Sequence, residues 1–124
     1  MKFNAGIITD QLQESKNFYQ RIFGWNVIFE NDFYVLMGTE NGDQLSFLLP
    51  GHPSQKPIFQ APFEGRGVYI TIEVANVDEE FERIKGLDVP IEIEIRDEPW
   101  GDRHFAVKDP NGIGIDVVTY KAPE

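Results

Sequence analysis

The sequence predicts an α+β fold built from two copies of one module. Each copy is predicted to run strand, helix, strand, strand, strand, and each closes with an Asn-Gly hairpin, at Asn41-Gly42 and at Asn111-Gly112. Two half-folds that each leave one sheet face uncovered are expected to pack together, with the functional site where the two sheets face each other. We therefore predict a single domain over residues 1–124, divided into module one (1–49), a linker (50–66) and module two (67–121).

Composition limits the classes of function. The chain has 124 residues, of which 41% are hydrophobic, which suits one compact domain. Its net charge of −10 disfavours nucleic acid and anionic membranes as partners, and indicates either ordinary solubility or attraction of a cationic ligand. The absence of cysteine excludes disulfides and thiolate sites. With no long apolar run and no leader-like start, the chain is expected to be soluble and cytoplasmic.

Module one is predicted to open with a strand over 3–8, followed by a helix that Thr9-Asp10 caps and Gly24 ends. The next strand, 25–30, alternates apolar and polar residues, so Trp25, Val27 and Phe29 are expected to face the helix. Residues 33–37 are apolar on both faces, which predicts a central strand. The apolar face of the helix comprises Leu12, Phe18, Tyr19, Ile22 and Phe23.

Module two repeats this scheme with Asn76 as the helix cap and Gly86 as its end. Its buried helix positions are Val77, Phe81 and Ile84, and strand 91–96 is expected to turn Ile91, Ile93 and Ile95 toward the helix. Residues 103–108 form the predicted central strand. The proline-rich linker is expected to pass over the mouth of the site, where Phe59 and Phe63 either line a ligand site or cover a sheet edge.

Strand alternation also predicts which polar side chains face away from the helices. Val68, Ile70, Ile72 and Val74 form one apolar face, so Tyr69, Thr71 and Glu73 point the other way. In the first strand, Phe3, Ala5 and Ile7 are expected to pack outward while Asn4 looks inward. In the strand after the first hairpin, Leu45 and Phe47 pack under the helix. The polar positions predicted to converge are Asn4, Ser46, Tyr69 and Asp116.

Three segments give the chain a resemblance to a known family. Residues 10–19 (DQLQESKNFY), 99–105 (PWGDRHF) and 109–112 (DPNG), in this order of elements, resemble the vicinal oxygen chelate superfamily. That superfamily includes glyoxalase I, bleomycin-resistance proteins and extradiol dioxygenases. The resemblance covers nearly the whole chain and implies a cup-shaped mixed sheet with the helices on its outer face, and a homodimer.

The resemblance also implies a divalent metal in catalytic members, held by His and Glu at the four inward positions. Here those positions carry Asn4, Ser46, Tyr69 and Asp116. Amide, hydroxyl and phenol groups are poor substitutes for imidazole and carboxylate ligands. We therefore expect no metal and no other cofactor.

The resulting expectation is a metal-free protein that binds a small organic molecule, for sequestration or sensing. The predicted ligand-binding residues are Asn4, Ser46, Tyr69, Thr71, Glu73, Trp100, His104 and Asp116. His104 is alternatively a partly exposed strand residue, and Arg103 pairs with Asp97, Asp102 or Asp116 or else recognises a substrate carboxylate.

An enzyme is the competing hypothesis. One form is a lyase, isomerase or dioxygenase with atypical metal ligands drawn from Glu73, His104 and Asp116. Another is a metal-free enzyme whose catalytic base is Glu73 or His104. A third possibility is a domain whose cup is filled by its own side chains and which acts through its surface.

Overall fold

The computed structural model of the chain describes residues 1–121. The chain divides into two compact units, of which the first ends at Glu64 and the second begins at Gly65. Both units run strand, helix, strand, strand, strand, which confirms the predicted α+β fold of two βαβββ modules. That the two modules make up a single domain stays a prediction.

Module one consists of one helix and a four-stranded mixed sheet. Its sheet order is β1-β4-β3-β2, in which β1 runs parallel to β4 and the other neighbours are antiparallel. The third strand is central, as predicted. The elements are β1 (Ala5–Ile8), α1 (Leu12–Phe23), β2 (Asn26–Glu30), β3 (Tyr34–Gly38) and β4 (Gln44–Leu48), followed by a short 3-10 helix at Pro57–Phe59.

Module two has the same topology. Its sheet order is β5-β8-β7-β6, with β5 parallel to β8, so β7 is a central strand as predicted. The elements are β5 (Tyr69–Glu73), α2 (Val77–Lys85), β6 (Ile93–Asp97), β7 (Asp102–Lys108) and β8 (Gly114–Tyr120).

Helix α1 packs through Tyr19, which is fully buried. The Tyr19 ring stacks on Trp25 with ring centroids 4.8 Å apart and lies 5.7 Å from the Phe47 ring of β4. Gly24 ends the helix in the left-handed conformation, with φ at +69°, as predicted. The predicted cap was wrong: Gln11 is the N-cap residue and makes no side-chain cap bond, while the Thr9 hydroxyl accepts from the Gln11 amide at 3.1 Å.

Helix α2 is capped as predicted. The Asn76 side chain accepts from the Glu79 amide at 3.2 Å, and Val77, Phe81 and Ile84 are buried. The Phe81 ring meets Phe105 of β7 edge-on at 5.2 Å. This contact identifies the face of the module-two sheet that lies against its helix.

Two β-bulges overturn part of the predicted facing in the second strand of each module, although Trp25 stacks on Tyr19 of α1 as predicted. In β2 the register shifts between Val27 and Phe29, so Phe29 does not share the face of Val27 and is 52% exposed. In β6 a shift between Ile93 and Arg96 pairs Ile93 with Ala106, away from α2, and leaves it 42% exposed. A bulge adds one residue to a strand, so the side chains after it point to the opposite faces of the sheet. A prediction that assumes unbroken alternation along the strand cannot anticipate this reversal.

The ends of module one also differ from expectation. Phe3 precedes β1 and is 89% exposed, so its predicted packing was wrong. In the linker, the Phe63 amide donates to the Ile8 carbonyl of the edge strand β1 at 2.8 Å, which supports the interpretation that this segment covers a sheet edge. Within residues 1–121, neither helix is long and apolar enough to cross a membrane.

Candidate functional site

The candidate site lies on the distal face of module two, which we define as the face of its sheet directed away from α2. Phe105 contacts α2, so its neighbour His104 points to the distal face. The strand register places Thr71 beside Asp116 and Glu73 beside Val118, which in turn faces His104. The polar and aromatic residues of this face are Tyr69, Thr71, Glu73, Asp102, His104, Asp116 and Tyr120.

His104 and Asp116 form the central contact of this face. Nδ1 of His104 lies 2.6 Å from Oδ1 of Asp116, a short hydrogen bond between β7 and β8. An ionised carboxylate has no proton to donate, so the imidazole Nδ1–H is the donor. The Asp116 side chain is 28% exposed, whereas that of His104 is only 13% exposed.

The other ring nitrogen of His104 is enclosed. Nε2 is shielded from solvent and has no hydrogen-bond partner among the residues that the structure describes. Oε1 of Glu98 lies 3.7 Å away, which is too far for a hydrogen bond, and the same oxygen contacts Nε of Arg96. The imidazole is therefore confined between a carboxylate that binds Nδ1 and an ion pair beside Nε2.

Aromatic side chains border the carboxylates. Tyr69 is 76% exposed and Tyr120 is 52% exposed, so both rings are available to a ligand. Trp100, in the turn before β7, is also exposed and donates its indole N–H to Oδ2 of Asp102 at 2.9 Å. Flat apolar surfaces next to carboxylates are a combination that binds small organic cations.

The pKa of Tyr120 reports the negative field of this face. Loss of water around the phenol raises that pKa most, and the charges of Asp102, Glu73 and Asp116 raise it further. Tyr69 contributes to the same shift. These carboxylates therefore lie close enough to Tyr120 to disfavour the negative charge that its phenol would gain on deprotonation. The same electrostatic field favours a positive charge on a ligand.

In module one, the two predicted ligand-binding residues form hydrogen bonds within their own module. Ser46 is 6% exposed, and its hydroxyl donates to the Ala5 carbonyl at 3.4 Å. Asn4 precedes β1, and its side-chain amide donates to Oε1 of Gln44 at 3.4 Å. Their role as ligand-binding residues stays a prediction, as it does for Trp100 and for the residues of the distal face.

The donor set fits a divalent metal poorly. Of the four positions that the family resemblance implies, three carry an amide, a hydroxyl and a phenol, and Oδ1 of the one carboxylate already accepts from His104. In the described part of the chain, no group of three or more His, Asp or Glu side chains is arranged to hold a metal ion.

Sequence reasoning missed three residues of this region. Tyr120 continues the alternation from Asp116 and Val118, so the period-two pattern could have identified it. Asp102 needed the β7–β8 register, and Glu98 lies in a turn where no periodicity applies. Arg103, by contrast, forms ion pairs with Asp78 and Asp97 and with neither Asp102 nor Asp116.

A shallow groove of about 280 Å³ lies in module one, apart from all of these residues. It runs between the end of α1 and the first hairpin. Its lining residues are Phe23, Gly24, Trp25, Thr39, Glu40 and Asn41, none of which was predicted to bind a ligand.

A family model described as Glyoxalase/Bleomycin resistance protein/Dioxygenase superfamily matches residues 4–117. Among solved structures, a lactoylglutathione lyase from Agrobacterium tumefaciens is 22% identical, with a TM-score of 0.77 over 95% of this chain and 92% of that one. A glyoxalase/bleomycin resistance protein/dioxygenase from Nocardioides is 17% identical, with a TM-score of 0.81 over 100% and 86% of the two chains.

TioX from Micromonospora sp. ML1 is 17% identical, with a TM-score of 0.75 over 98% of this chain and 100% of that one. At such identities these likenesses show the fold alone. No curated protein sequence matches the chain significantly.

Proposed function

Because the chain belongs to the glyoxalase/bleomycin resistance protein/dioxygenase superfamily, we propose that it binds a small organic molecule on the distal face of module two, without a metal ion. One observation carries the proposal: a partly exposed carboxylate, Asp116, lies among exposed tyrosines on one sheet face. The donor set supports the metal-free form, since its side chains cannot supply the three or four strong ligands that a functional metal site needs.

The charge of the distal face selects the class of ligand. Glu73, Asp102 and Asp116 place negative charge beside Tyr69 and Tyr120, so a protonated nitrogen is stabilised by both ion pairing and cation–π contact. An aromatic or apolar body on the same ligand would pack on the tyrosine rings. The ligand is thus an organic cation, and binding would serve its sequestration or sensing.

A metal-free enzyme is the second candidate, and the hydrogen-bonded pair of His104 and Asp116 favours it. The enclosure of Nε2 argues against His104 as the base that meets a substrate. Glu73, which is exposed on the same face, remains the candidate base in that case. The homodimer and the cytoplasmic location predicted from the sequence remain proposals.

A thermal-shift screen of organic cations against the metal-stripped protein tests the main proposal. A ligand at one hundred times its dissociation constant should stabilise the native state by about 2.7 kcal/mol, and removing the Asp116 charge with D116N should abolish that stabilisation. D32N is the matched control, because Asp32 is exposed and has no hydrogen bond or ion pair among the described residues.

The same screen has an outcome that contradicts the proposal. Stabilisation that appears only after Zn²⁺, Ni²⁺, Mn²⁺ or Fe²⁺ is restored, or stoichiometric metal that survives dialysis, would establish a metal-dependent site. Turnover of a stabilising compound, lost in E73Q, would favour the enzyme.

A further inference from the structure

We propose that His104 determines the specificity of the distal face by occupying one oxygen of Asp116, so that the site accepts an alkylammonium group and discriminates against a guanidinium. The inference rests on the proposed function and adds a residue-level rule to it. His104 acts through Asp116 and is a positioning residue, which revises its predicted role as a ligand contact or catalytic base.

His104 has no nitrogen available to a ligand. Nδ1–H donates to Oδ1 of Asp116 at 2.6 Å, and Nε2 is enclosed beside Glu98 and Arg96. The side chain is 13% exposed, against 28% for Asp116. A ligand on this face therefore meets the carboxylate and not the imidazole.

Only one oxygen of Asp116 keeps both of its lone pairs. Oδ1 is bound to His104, whereas Oδ2 has no hydrogen-bond partner in the described part of the chain. A guanidinium binds a carboxylate best through two parallel N–H···O bonds, which require an accessible lone pair on each oxygen. His104 takes one lone pair of Oδ1 and places its ring 2.6 Å from that oxygen, so the second bond of a guanidinium is disfavoured there. An ammonium is a compact charge that can bind a single carboxylate oxygen. It can therefore bind Oδ2, and the hydrogen bond from His104 to Oδ1 does not weaken its binding.

Neighbouring residues hold the His104 side chain in place. It faces Val118, which is fully buried, across the β7–β8 ladder, and its register partner in β6 is Arg96. The ion pair of Arg96 with Glu98 closes the Nε2 side. Rotating the imidazole away from Asp116 would break a charge-assisted hydrogen bond and leave both groups without a partner.

Two probes of equal charge and equal aromatic body isolate this effect. Benzylammonium and benzylguanidinium each carry one positive charge, so the field of Glu73, Asp102 and Asp116 attracts both alike. The ratio of their dissociation constants then reports the geometry at Asp116. We expect the wild-type protein to bind benzylammonium more tightly.

The test compares this ratio in the wild-type protein with that in H104L, which removes the Nδ1 donor and keeps a side chain of similar size. Freeing Oδ1 should shift the ratio toward benzylguanidinium by roughly tenfold, the value of one added charge-assisted hydrogen bond. H52L is the matched control, because His52 is the only other histidine and lies in the linker, in the first compact unit, stacked on Phe33. Its ratio should equal that of the wild type.

A second measurement does not depend on the folding of H104L. In an H52Q protein His104 is the only histidine, so its ring nitrogens are assigned directly by long-range ¹H–¹⁵N NMR. A protected Nδ1–H that persists with either probe bound supports the inference. A bare Nδ1, or a Nδ1–H lost when benzylguanidinium binds, would overturn it.

The outcomes separate the two proposals. If both probes bind through Asp116 with a ratio that H104L leaves unchanged, the specificity rule is wrong and the binding function stands. If neither probe binds and D116N behaves like the wild type, the proposed function fails and the specificity rule fails with it.

Discussion

Two glycines end the two helices, and their backbone conformations differ. Gly24 has φ at +69°, in the left-handed region, whereas Gly86 has φ at −73°, which any residue adopts. After α2 the left-handed residue is Asp88 instead, with φ at +60°. The same residue type at the same position of the repeat therefore has a conformational role only in module one.

This difference predicts opposite responses to alanine. G24A should lower the free energy of unfolding by about 1 kcal/mol, because alanine is strained at positive φ although space is available for its methyl group. G86A should be neutral or slightly stabilising, since it reduces the freedom of the unfolded chain without strain. Urea denaturation of both variants checks the prediction, and equal losses of stability would contradict it.

At the scale of elements, Arg103 of β7 ties the start of α2 to the end of β6. Its guanidinium lies 2.8 Å from Oδ1 of Asp78 and 3.2 Å from Oδ2 of Asp97, and Lys121 binds Asp97 from the other side at 2.6 Å. The hydrogen bond from Arg103 holds the pKa of Asp78 below its ordinary value, and Lys121, followed by Arg103, does so for Asp97. These contacts all lie on the helix side of the sheet.

The lowered pKa values predict how stability depends on pH. Folded protein binds fewer protons at Asp78 and Asp97 than unfolded protein does, so their contribution is fully present above the ordinary value of 3.8 and is lost as pH falls through the folded values. R103Q should therefore lose less stability than the wild type when pH falls from about 6 to about 3. Urea midpoints at the two pH values measure this.

A charge-matched control accompanies R103Q. K56Q also removes one positive charge, but Lys56 takes part in no ion pair in residues 1–121. Its pH dependence should match that of the wild type. If R103Q and K56Q changed the pH dependence alike, general charge and not the ion pairs would be responsible.

At the scale of the whole molecule, the two modules keep one topology and differ in what their distal positions hold. Ser46 and Asp116 both lie in the last strand of their module and face away from the helix. Ser46 donates to the backbone of its own sheet, whereas Asp116 is partly exposed and held by His104. The candidate site therefore lies in module two only, because the equivalent polar residue of module one is buried and bonded to its own sheet.

Much of this fold was predictable from the sequence, because local patterns report local structure. The Asn76 cap, the left-handed Gly24 and the facing of Tyr69, Thr71 and Glu73 follow from capping chemistry and strand alternation. The bulges in β2 and β6 were not predictable, because they depend on how neighbouring strands pair. The bond between His104 and Asp116 needs the β7–β8 register, and Glu98 reaches His104 from a turn.

The central claim is that the distal face of module two binds an organic cation without a metal. Titration of ¹⁵N,¹³C-labelled protein with benzylammonium in the presence of EDTA tests it most directly, through the residues whose NMR signals move. We predict saturable shifts at Tyr69, Thr71, Glu73, Asp116 and Tyr120 that disappear in D116N. Shifts confined to other residues, or binding that begins only when Zn²⁺ or Ni²⁺ replaces the EDTA, would contradict the claim.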